Sequence, residues 1–166
     1  KTLLKQIVMH GEAEYIAVNS KTGRAYQASQ ATGEIAVIDS STNNVLTYID
    51  LTLNGVPQSP YQVAIDEALN IIYVGTKSPE PTPSALIGPP YRCKAIRELP
   101  SDEATAGQQE LECWHPGAVI VIDGNTNQLA LDSSGKPIYF LAGDDPEGVV
   151  FAKATGKVYA SNEDDG

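Results

Sequence analysis

An all-β fold made of repeated four-stranded antiparallel sheets is the structure that this sequence of 166 residues predicts. Three ten-residue segments are similar to one another, at positions 17–26, 64–73 and 150–159. A second phrase, Val-Ile-Asp followed by a polar turn that ends in Thr-Asn, occurs at 37–43 and again at 121–127. Apolar and polar residues alternate within these segments over short stretches rich in Val, Ile, Tyr and Thr, which is typical of strands. A unit that returns after about 40 to 50 residues predicts a repeat architecture.

The first complete unit predicts four strands joined by tight turns, at 16–19, 24–29, 34–39 and 45–51. Gly23 lies in the first turn, and Asn70 and Gly156 lie at the same place in the other two copies. Glycine and asparagine tolerate the left-handed backbone that such turns need. Asp39 ends the third strand, where its carboxylate can accept hydrogen bonds from the next backbone amides. So small a sheet covers its faces only by stacking on copies of itself, so the units predict blades of a β-propeller.

Counting the units predicts about two and a half blades of an incomplete ring, whereas propellers close with about four to eight. The predicted units are the end of a preceding blade at 1–14 with a last strand over 3–8, a full blade at 15–60, a second full blade at 61–147 with an insert at 77–116, and the first half of a further blade at 148–166. Tyr26, Tyr73 and Tyr159 share one point of the unit and are expected to pack between blades. Open sheet edges and faces favour pairing. We therefore expect the chain to belong to a larger polypeptide or to a homo- or hetero-oligomer.

The insert at 77–116 is rich in proline, which excludes long helices, and we predict one short helix over 101–111. Cys93 and Cys113 are the two cysteines of the chain, and neither has the spacing of a zinc site. A disulfide between them would clip the insert and stabilise the fold by about 3 kcal/mol. That bond would indicate an oxidising compartment, whereas two free thiols in a cytosolic loop are the alternative.

The net charge of −10 excludes whole classes of partner. Nucleic-acid binding needs basic patches for phosphate, and docking on anionic membranes needs the same positive charge. No apolar run of about 18 residues is present, so no membrane insertion is predicted. We expect a protein partner, or further blades that complete the ring.

The repeat resembles the YVTN β-propeller repeat of bacterial and archaeal surface proteins, a unit of about forty residues. The resemblance rests on Val-Ala-Ile-Asp at 63–66, Ile-Tyr-Val at 72–74, Val-Ile-Asp at 37–39 and 121–123, and Val-Tyr-Ala-Ser-Asn at 158–162. It implies a propeller fold and says little of activity, because relatives of this general shape include surface-layer proteins, lactonase-like proteins and large subunits of quinone-dependent amine dehydrogenases.

The connections between the second and third strands of a blade, and between one blade and the next, all lie at the same end of the blades. Longer loops on a rigid scaffold carry function, so the candidate binding residues are those at this end. They are His10, Glu12, Tyr91, Arg92, Trp114, His115, Asp144, Asp145 and Glu147. Trp114 either pins the insert onto its blade or offers a contact for a partner. The acidic turns could supply oxygen ligands to calcium from Asp144, Asp145, Glu147, Glu163, Asp164 and Asp165, or could simply be solvated. No other cofactor is predicted.

These observations favour an extracytoplasmic propeller module, secreted, periplasmic or on the cell surface, that serves binding or assembly. No arrangement of catalytic residues accompanies the two histidines. The alternative is a subunit or fragment of a propeller enzyme, either a lactonase-like hydrolase or the scaffold subunit of a quinone-dependent dehydrogenase. In that case His10, Glu12, Asp144 and Glu147 could reach the central channel.

Overall fold

A computed structural model of the chain describes residues 3, 5–53, 55–77, 92–98, 109–114, 116–143 and 146–162, with the backbone alone at 92–98 and 109–114. Every strand pair in it is antiparallel. The strands are β1 (Ile16–Asn19), β2 (Arg24–Ser29), β3 (Glu34–Asp39), β4 (Asn44–Asp50), β5 (Ser59–Asp66), β6 (Ile71–Lys77), β7 (Arg92–Glu98), β8 (Gln109–Trp114), β9 (Ala118–Asp123), β10 (Gln128–Leu129), β11 (Tyr139–Leu141), β12 (Pro146–Ala152) and β13 (Lys157–Asn162). The all-β prediction is confirmed, and none of the described residues forms a helix that could cross a membrane.

The first sheet is a four-stranded meander in the order β1-β2-β3-β4. Its turns have the predicted chemistry, because Gly23 has a φ of 66° and Asn43 a φ of 55°. Asn70, Asn127 and Gly156 repeat this left-handed backbone in the later turns. β4 begins and ends one residue before the predicted 45–51.

The second sheet has the order β10-β9-β6-β5, and β11 also pairs with β9. Its outer strand is therefore split into β10 and β11, with a turn at 132–136 between them. The hairpin β7–β8 is inserted between β6 and β9. The predicted helix over 101–111 is wrong at 109–111, which belong to β8, because cross-strand pairing with β7 uses that backbone. Residues 101–108 lie outside the described part.

The third sheet consists of β12 and β13. Residues 3 and 5–8, predicted as the last strand of a preceding blade, form no strand. Their segment runs instead along β4, where Lys5 Nζ donates to the backbone oxygen of Asn43 at 2.8 Å and to Asn44 Oδ1 at 2.9 Å. No strand pair among the described residues includes this segment.

The three sheets stack in chain order and bury two apolar layers between them, without closing a ring within the described residues. The layer between the first and second sheets contains the larger cluster, which includes Tyr26, Ile35, Leu51, Ile72 and Ile120. The layer between the second and third sheets has a core of three buried residues, Ala64, Val119 and Val149.

Candidate functional site

The two ends of the stacked sheets differ in chemistry. One end, here called the turn end, carries the tight turns at 20–23, 40–43, 67–70, 124–127 and 153–156. The opposite end, here called the loop end, carries the connections that enter β3, β5, β9 and β12, of which those into β5 and β9 are the longer ones. Alternation of strand direction puts all connections of one kind at one end.

The turn end is closed by hydrogen bonds between neighbouring sheets. Asn19 is fully buried and donates from Nδ2 to Asn70 Oδ1 at 2.8 Å, and Asn70 in turn donates to Asn125 Oδ1 at 3.0 Å. The Arg24 guanidinium donates to the backbone oxygen of Gly124 at 3.2 Å. These side chains have their partners within the protein, so they tie the sheets together rather than offer themselves to a ligand.

Carboxylates at the turn end also have their hydrogen-bond partners within the protein. Asp39 accepts hydrogen bonds from the amide and hydroxyl of Ser41 and from the amide of Thr42, which together lower the pKa of its carboxyl. Glu67 reaches from the second sheet to the first, where Ser20 donates from its hydroxyl and its backbone amide, each at 2.7 Å. The Ser20 hydroxyl is the main cause of the lowered pKa of Glu67. Both groups stabilise turns and sheet contacts.

The loop end holds a cluster of charged and aromatic side chains on the inner strands. Lys77 at the end of β6 forms an ion pair with Glu147 of β12, with 2.6 Å between Nζ and Oε1. The same ammonium lies 4.4 Å from the centre of the Tyr61 ring. Tyr15 packs edge-on against Tyr61, with 5.1 Å between ring centres. The cluster thus joins segments of all three sheets.

The electrostatics of this cluster keep its phenol neutral. Burial is the largest cause that raises the pKa of Tyr61, and the nearby Glu147 carboxylate acts in the same direction. Lys77 opposes the shift without cancelling it. A neutral phenol and an internal ion pair can position a polar ligand.

His10 does not join this cluster. Its Nδ1 lies 3.2 Å from Glu34 Oε2, and its ring stacks on Tyr48 with 3.9 Å between ring centres. Glu12 is exposed on the segment that follows. His10 is thus held by the first sheet, whereas Glu147 is held by Lys77.

A groove with a volume of about 480 Å³ opens beside β13. Its lining comes from the second sheet, from the residues that follow β11 and from β13: Tyr73, Val119, Phe140, Leu141, Ala142, Gly143, Val158, Ala160 and Asn162. Phe140 and Leu141 are 61% and 53% exposed, unlike the apolar residues between the first two sheets. This groove is here called the β13 groove.

Several predicted site residues lie outside the described part of the chain. They are Tyr91, His115, Asp144, Asp145, Glu163, Asp164 and Asp165, together with the side chains of Arg92, Cys93, Cys113 and Trp114. No group of three potential metal ligands occurs among the described residues, and the predicted calcium ligands, apart from Glu147, lie outside them. The described part contains no disulfide, but its backbone register places Cys93 directly opposite Cys113 and Arg92 opposite Trp114.

Tyr15, Tyr61 and Lys77 were not predicted as site residues, and only Glu147 of the cluster was. Each lies at or next to the end of a strand, outside the ten-residue segments that repeat, so no repeated position marks it. A search for family models and for similar curated proteins finds no match to this chain.

Proposed function

We propose that this chain is an assembly module, an incomplete stack of propeller blades of the YVTN type that binds a further copy of itself outside the cytoplasm. The exposed side of the third sheet would pack on the exposed inner strand of the first sheet of the next copy. The contact would repeat, between chains, the packing that already joins the first and second sheets within one chain.

The observation that carries the proposal is the exposure of three equivalent tyrosines. Tyr26 is fully buried because a complete second sheet lies over it. Tyr73 is half-buried, since only the two strands of the third sheet cover it. Tyr159, on the third sheet, is 52% exposed, although its place in the repeat is the same. The burial of this position thus increases with the number of strands in the sheet that covers it. This trend supports the interpretation that another sheet belongs over Tyr159.

The opposite end of the stack carries the matching surface. Within the chain, Ala17 and Tyr26 of the first sheet pack in the same cluster as Val63 and Ile65 of the second. The repeat makes Val150 and Tyr159 the equivalents of the first pair.

Ile16 and Val18 are the equivalents of Val63 and Ile65, and they are 57% and 55% exposed. Val150 is likewise 57% exposed. The two outer surfaces therefore have the composition of an existing interface, which favours a head-to-tail contact between copies.

The cysteines support the extracytoplasmic part of the proposal. Residues directly opposite in an antiparallel pair have Cα atoms about 4.5–5.5 Å apart. That spacing lies within the range of about 4.4–6.8 Å over which disulfides form. The register of Cys93 with Cys113 is therefore suited to a cross-strand disulfide. A thiol titration of the unreduced, unfolded protein would find no free thiol if the bond is present.

Light scattering of the purified chain over a range of concentrations tests the assembly. The wild-type chain should form species of twice the monomer mass or more, and Tyr159→Arg should weaken the association at least tenfold, about 1.4 kcal/mol. Val18→Arg on the opposite surface should have a similar effect. Leu69→Arg is the matched control, because Leu69 is 65% exposed but lies in a turn at the turn end.

Two results would contradict the proposal. A wild-type chain that stays monomeric at every concentration would exclude a second copy as the partner. Equal association of Tyr159→Arg and Leu69→Arg would show that the copies meet through another surface.

A further inference from the structure

A β-bulge lies at the loop end of each described inner strand, namely β1, β5 and β12. In β5 the pairing with β6 skips Tyr61, and in β12 the pairing with β13 skips Glu147. Just before β1, Ala28 accepts from the Glu14 amide and donates to the Tyr15 backbone oxygen, each at 2.9 Å, so two residues oppose one there as well. A bulge re-aims a side chain, and bulges are over-represented next to active sites. The three bulges therefore distinguish this end of the inner strands from the turn end.

The bulge residues are equivalent in the repeat and lie close together in space. Glu14, Tyr61 and Glu147 each precede a repeated segment by three residues. The Tyr15 amide donates to the backbone oxygen of Tyr61 at 3.4 Å, so the first two bulges touch. Burial is the largest cause of the raised pKa of Tyr61, and the carboxylates of Glu147 and Glu14 both act in the same direction. Tyr61 thus lies near two carboxylates, one from the bulge of each neighbouring sheet.

The bulges of the second and third sheets show what such a pair of groups holds. The Lys77 ammonium stands between them, 2.6 Å from Glu147 Oε1 and 4.4 Å from the centre of the Tyr61 ring. A carboxylate and an aromatic face are two groups that attract ammonium ions in proteins. At this interface the chain supplies the ammonium ion from its own side chain.

The first and second sheets bring the same kinds of group together without a lysine. The carboxylate now comes from the bulge of the first sheet, at Glu14, and the rings are Tyr15 and Tyr61, with 5.1 Å between their centres. Gln30 follows β2 directly, occupies the place of Lys77 in the repeat and carries no charge. Within the described part of the chain Glu14 has no ion-pair partner, and Tyr15 is 46% exposed. The groups that hold an ammonium ion at the second interface thus lie accessible at the first.

We propose that the loop end between the first and second sheets binds a primary ammonium group, either of a free amine or of a lysine side chain. Glu14 is the counter-ion and the Tyr15 ring is the aromatic face, so the ligand takes the role that Lys77 has at the next interface. Two carboxylates and one ammonium lie at this end, so a further cation completes the charge balance. The inference is separate from the proposed assembly, which uses the outer faces of the first and third sheets.

Titration of the full isotope-labelled chain with n-butylamine, followed by NMR at neutral pH and low salt, tests the site. Butylamine is protonated at that pH and should shift the backbone amides of Tyr15 and Tyr61 saturably, with a Kd in the millimolar range. The amides of Asn19 and Asn70 at the turn end should stay unchanged. n-Butanol, which has the same chain and no charge, should give no saturable shift at the same concentrations.

Variants at the first interface assign the binding to named groups. Glu14→Gln should weaken butylamine binding about fivefold, and Tyr15→Leu about threefold, the sizes expected of one exposed ion pair and one exposed cation–π contact. Glu12→Gln is the matched control, because Glu12 is an exposed carboxylate two residues away. Gln30→Lys gives this interface an ammonium ion of its own and should lower affinity about tenfold, whereas Gln30→Met, of similar length and without charge, should not. Unchanged amide shifts at the turn end show that each variant keeps its fold.

Three results would overturn the inference: shifts that do not saturate, equal losses for Glu14→Gln and Glu12→Gln, or wild-type affinity in Gln30→Lys. Equal losses would reduce the binding to the overall negative charge of the chain. A blocked peptide with a single lysine distinguishes the two sources of the ammonium group. Tighter binding of this peptide than of butylamine supports a lysine of a protein partner, and the reverse supports a free amine.

The test also keeps this inference apart from the proposed assembly. Gln30→Lys should self-associate like the wild-type chain when measured by light scattering. If the wild-type chain stays monomeric but binds butylamine with the stated response to the variants, the proposed function fails and this inference stands. If the copies associate but butylamine does not bind, the reverse holds.

Discussion

The two interfaces between successive sheets have equivalent sequences but bury very different amounts of apolar surface. In the first, thirteen buried residues form one cluster that spans the first and second sheets. In the second, three residues are buried, and Tyr73, Phe151 and Val158 are only partly covered. The difference follows from the number of strands, since the sheet that covers the second interface has two strands in the described residues, against five in the sheet that covers the first. Burial at a repeated position is thus decided by its neighbour and not by its own residue.

Polar contacts show the same contrast. The first interface is tied at the turn end by the chain of Asn19, Asn70 and Asn125. The second is held near the loop end, where Gln62 Oε1 accepts from the Val149 amide at 2.7 Å and Lys77 pairs with Glu147. With fewer apolar contacts, the third sheet should open more readily than the rest, on the time scale that hydrogen exchange observes.

The largest expected effect is a graded response of the three tyrosines to truncation. Tyr26→Ala should lower the free energy of unfolding by about 3–5 kcal/mol, because it opens a cavity in the larger cluster. Tyr73→Ala should cost roughly half as much, and Tyr159→Ala less than about 0.5 kcal/mol, as an exposed side chain does. Urea denaturation at a concentration where the chain is monomeric measures all three. Equal losses for Tyr73→Ala and Tyr26→Ala would mean that the third sheet covers its neighbour as well as the second covers the first.

A smaller effect is expected at the asparagine that joins the first two sheets. Asn19→Asp keeps the acceptor for the amides of Lys21 and Thr22 but replaces the donor to Asn70 by a second acceptor. Leaving that buried pair unmatched should cost about 1–3 kcal/mol in the free energy of unfolding at neutral pH.

Asp66 provides the matched control, because it occupies the same place in the second sheet and accepts from the amides of Ala68 and Leu69. Asp66→Asn keeps that acceptor and should cost less than about 1 kcal/mol. If both variants lost the same stability, the bond between Asn19 and Asn70 would contribute nothing beyond the turn itself.

The parts of the fold that could be predicted are those set by short-range patterns. Strands β1 to β3 and the left-handed residues Gly23, Asn70 and Gly156 follow from alternation and turn chemistry, which act within a few residues. The amino-terminal strand is wrong at residues 3 and 5–8, because the apolar residues on either side of Lys5 and Gln6 favour burial but do not decide which backbone the segment pairs with. The predicted helix failed at 109–111 for the converse reason, since the strand that pairs there, β7, lies more than ten residues away.

The candidate site was less predictable than the fold. Glu147 was proposed as a calcium ligand or channel residue, but its partner Lys77 lies 70 positions away and belongs to a different sheet. Tyr15 and Tyr61 meet because β1 and β5 are neighbouring inner strands, which is a tertiary fact that no local pattern contains. The β13 groove is harder still to predict from the sequence, because it arises from the spacing between sheets and not from any single residue.

Glu147→Gln should have a modest effect confined to the second interface. The ion pair with Lys77 is partly buried, with 18% and 40% of the two side chains exposed. Its loss should lower the free energy of unfolding by about 0.5–1 kcal/mol in dilute buffer, and by less in about 1 M salt, which screens the pair. Glu12→Gln, at an exposed site of the same charge, should show almost no change. A loss that does not respond to salt would indicate that packing rather than charge holds Glu147.

The smallest expected effect is a pH dependence that arises at the first interface from Glu67. Because Ser20 stabilises its carboxylate, Glu67 has a lower pKa in the folded chain than the ordinary 4.5. The unfolded chain therefore takes up this proton first as the pH falls, so the stabilisation is complete above about pH 5 and is lost progressively below it, as the pH falls through the folded pKa. Melting temperatures of the wild-type chain and Glu67→Gln should accordingly converge on acidification.

Ser20→Ala is the variant that assigns this effect to the contact between sheets. It should bring the NMR titration of the Glu67 carboxyl closer to its ordinary pKa while leaving that of Asp39, whose lowered pKa comes from Ser41 and Thr42 within one turn, unchanged. A Glu67 carboxyl that titrates at its ordinary pKa in the wild-type chain would contradict the contact. A shift that survives Ser20→Ala would move its cause to the neighbouring Lys21 and Lys153. In that case the charge at this turn would act through space, and the interface would depend on salt as well as on pH.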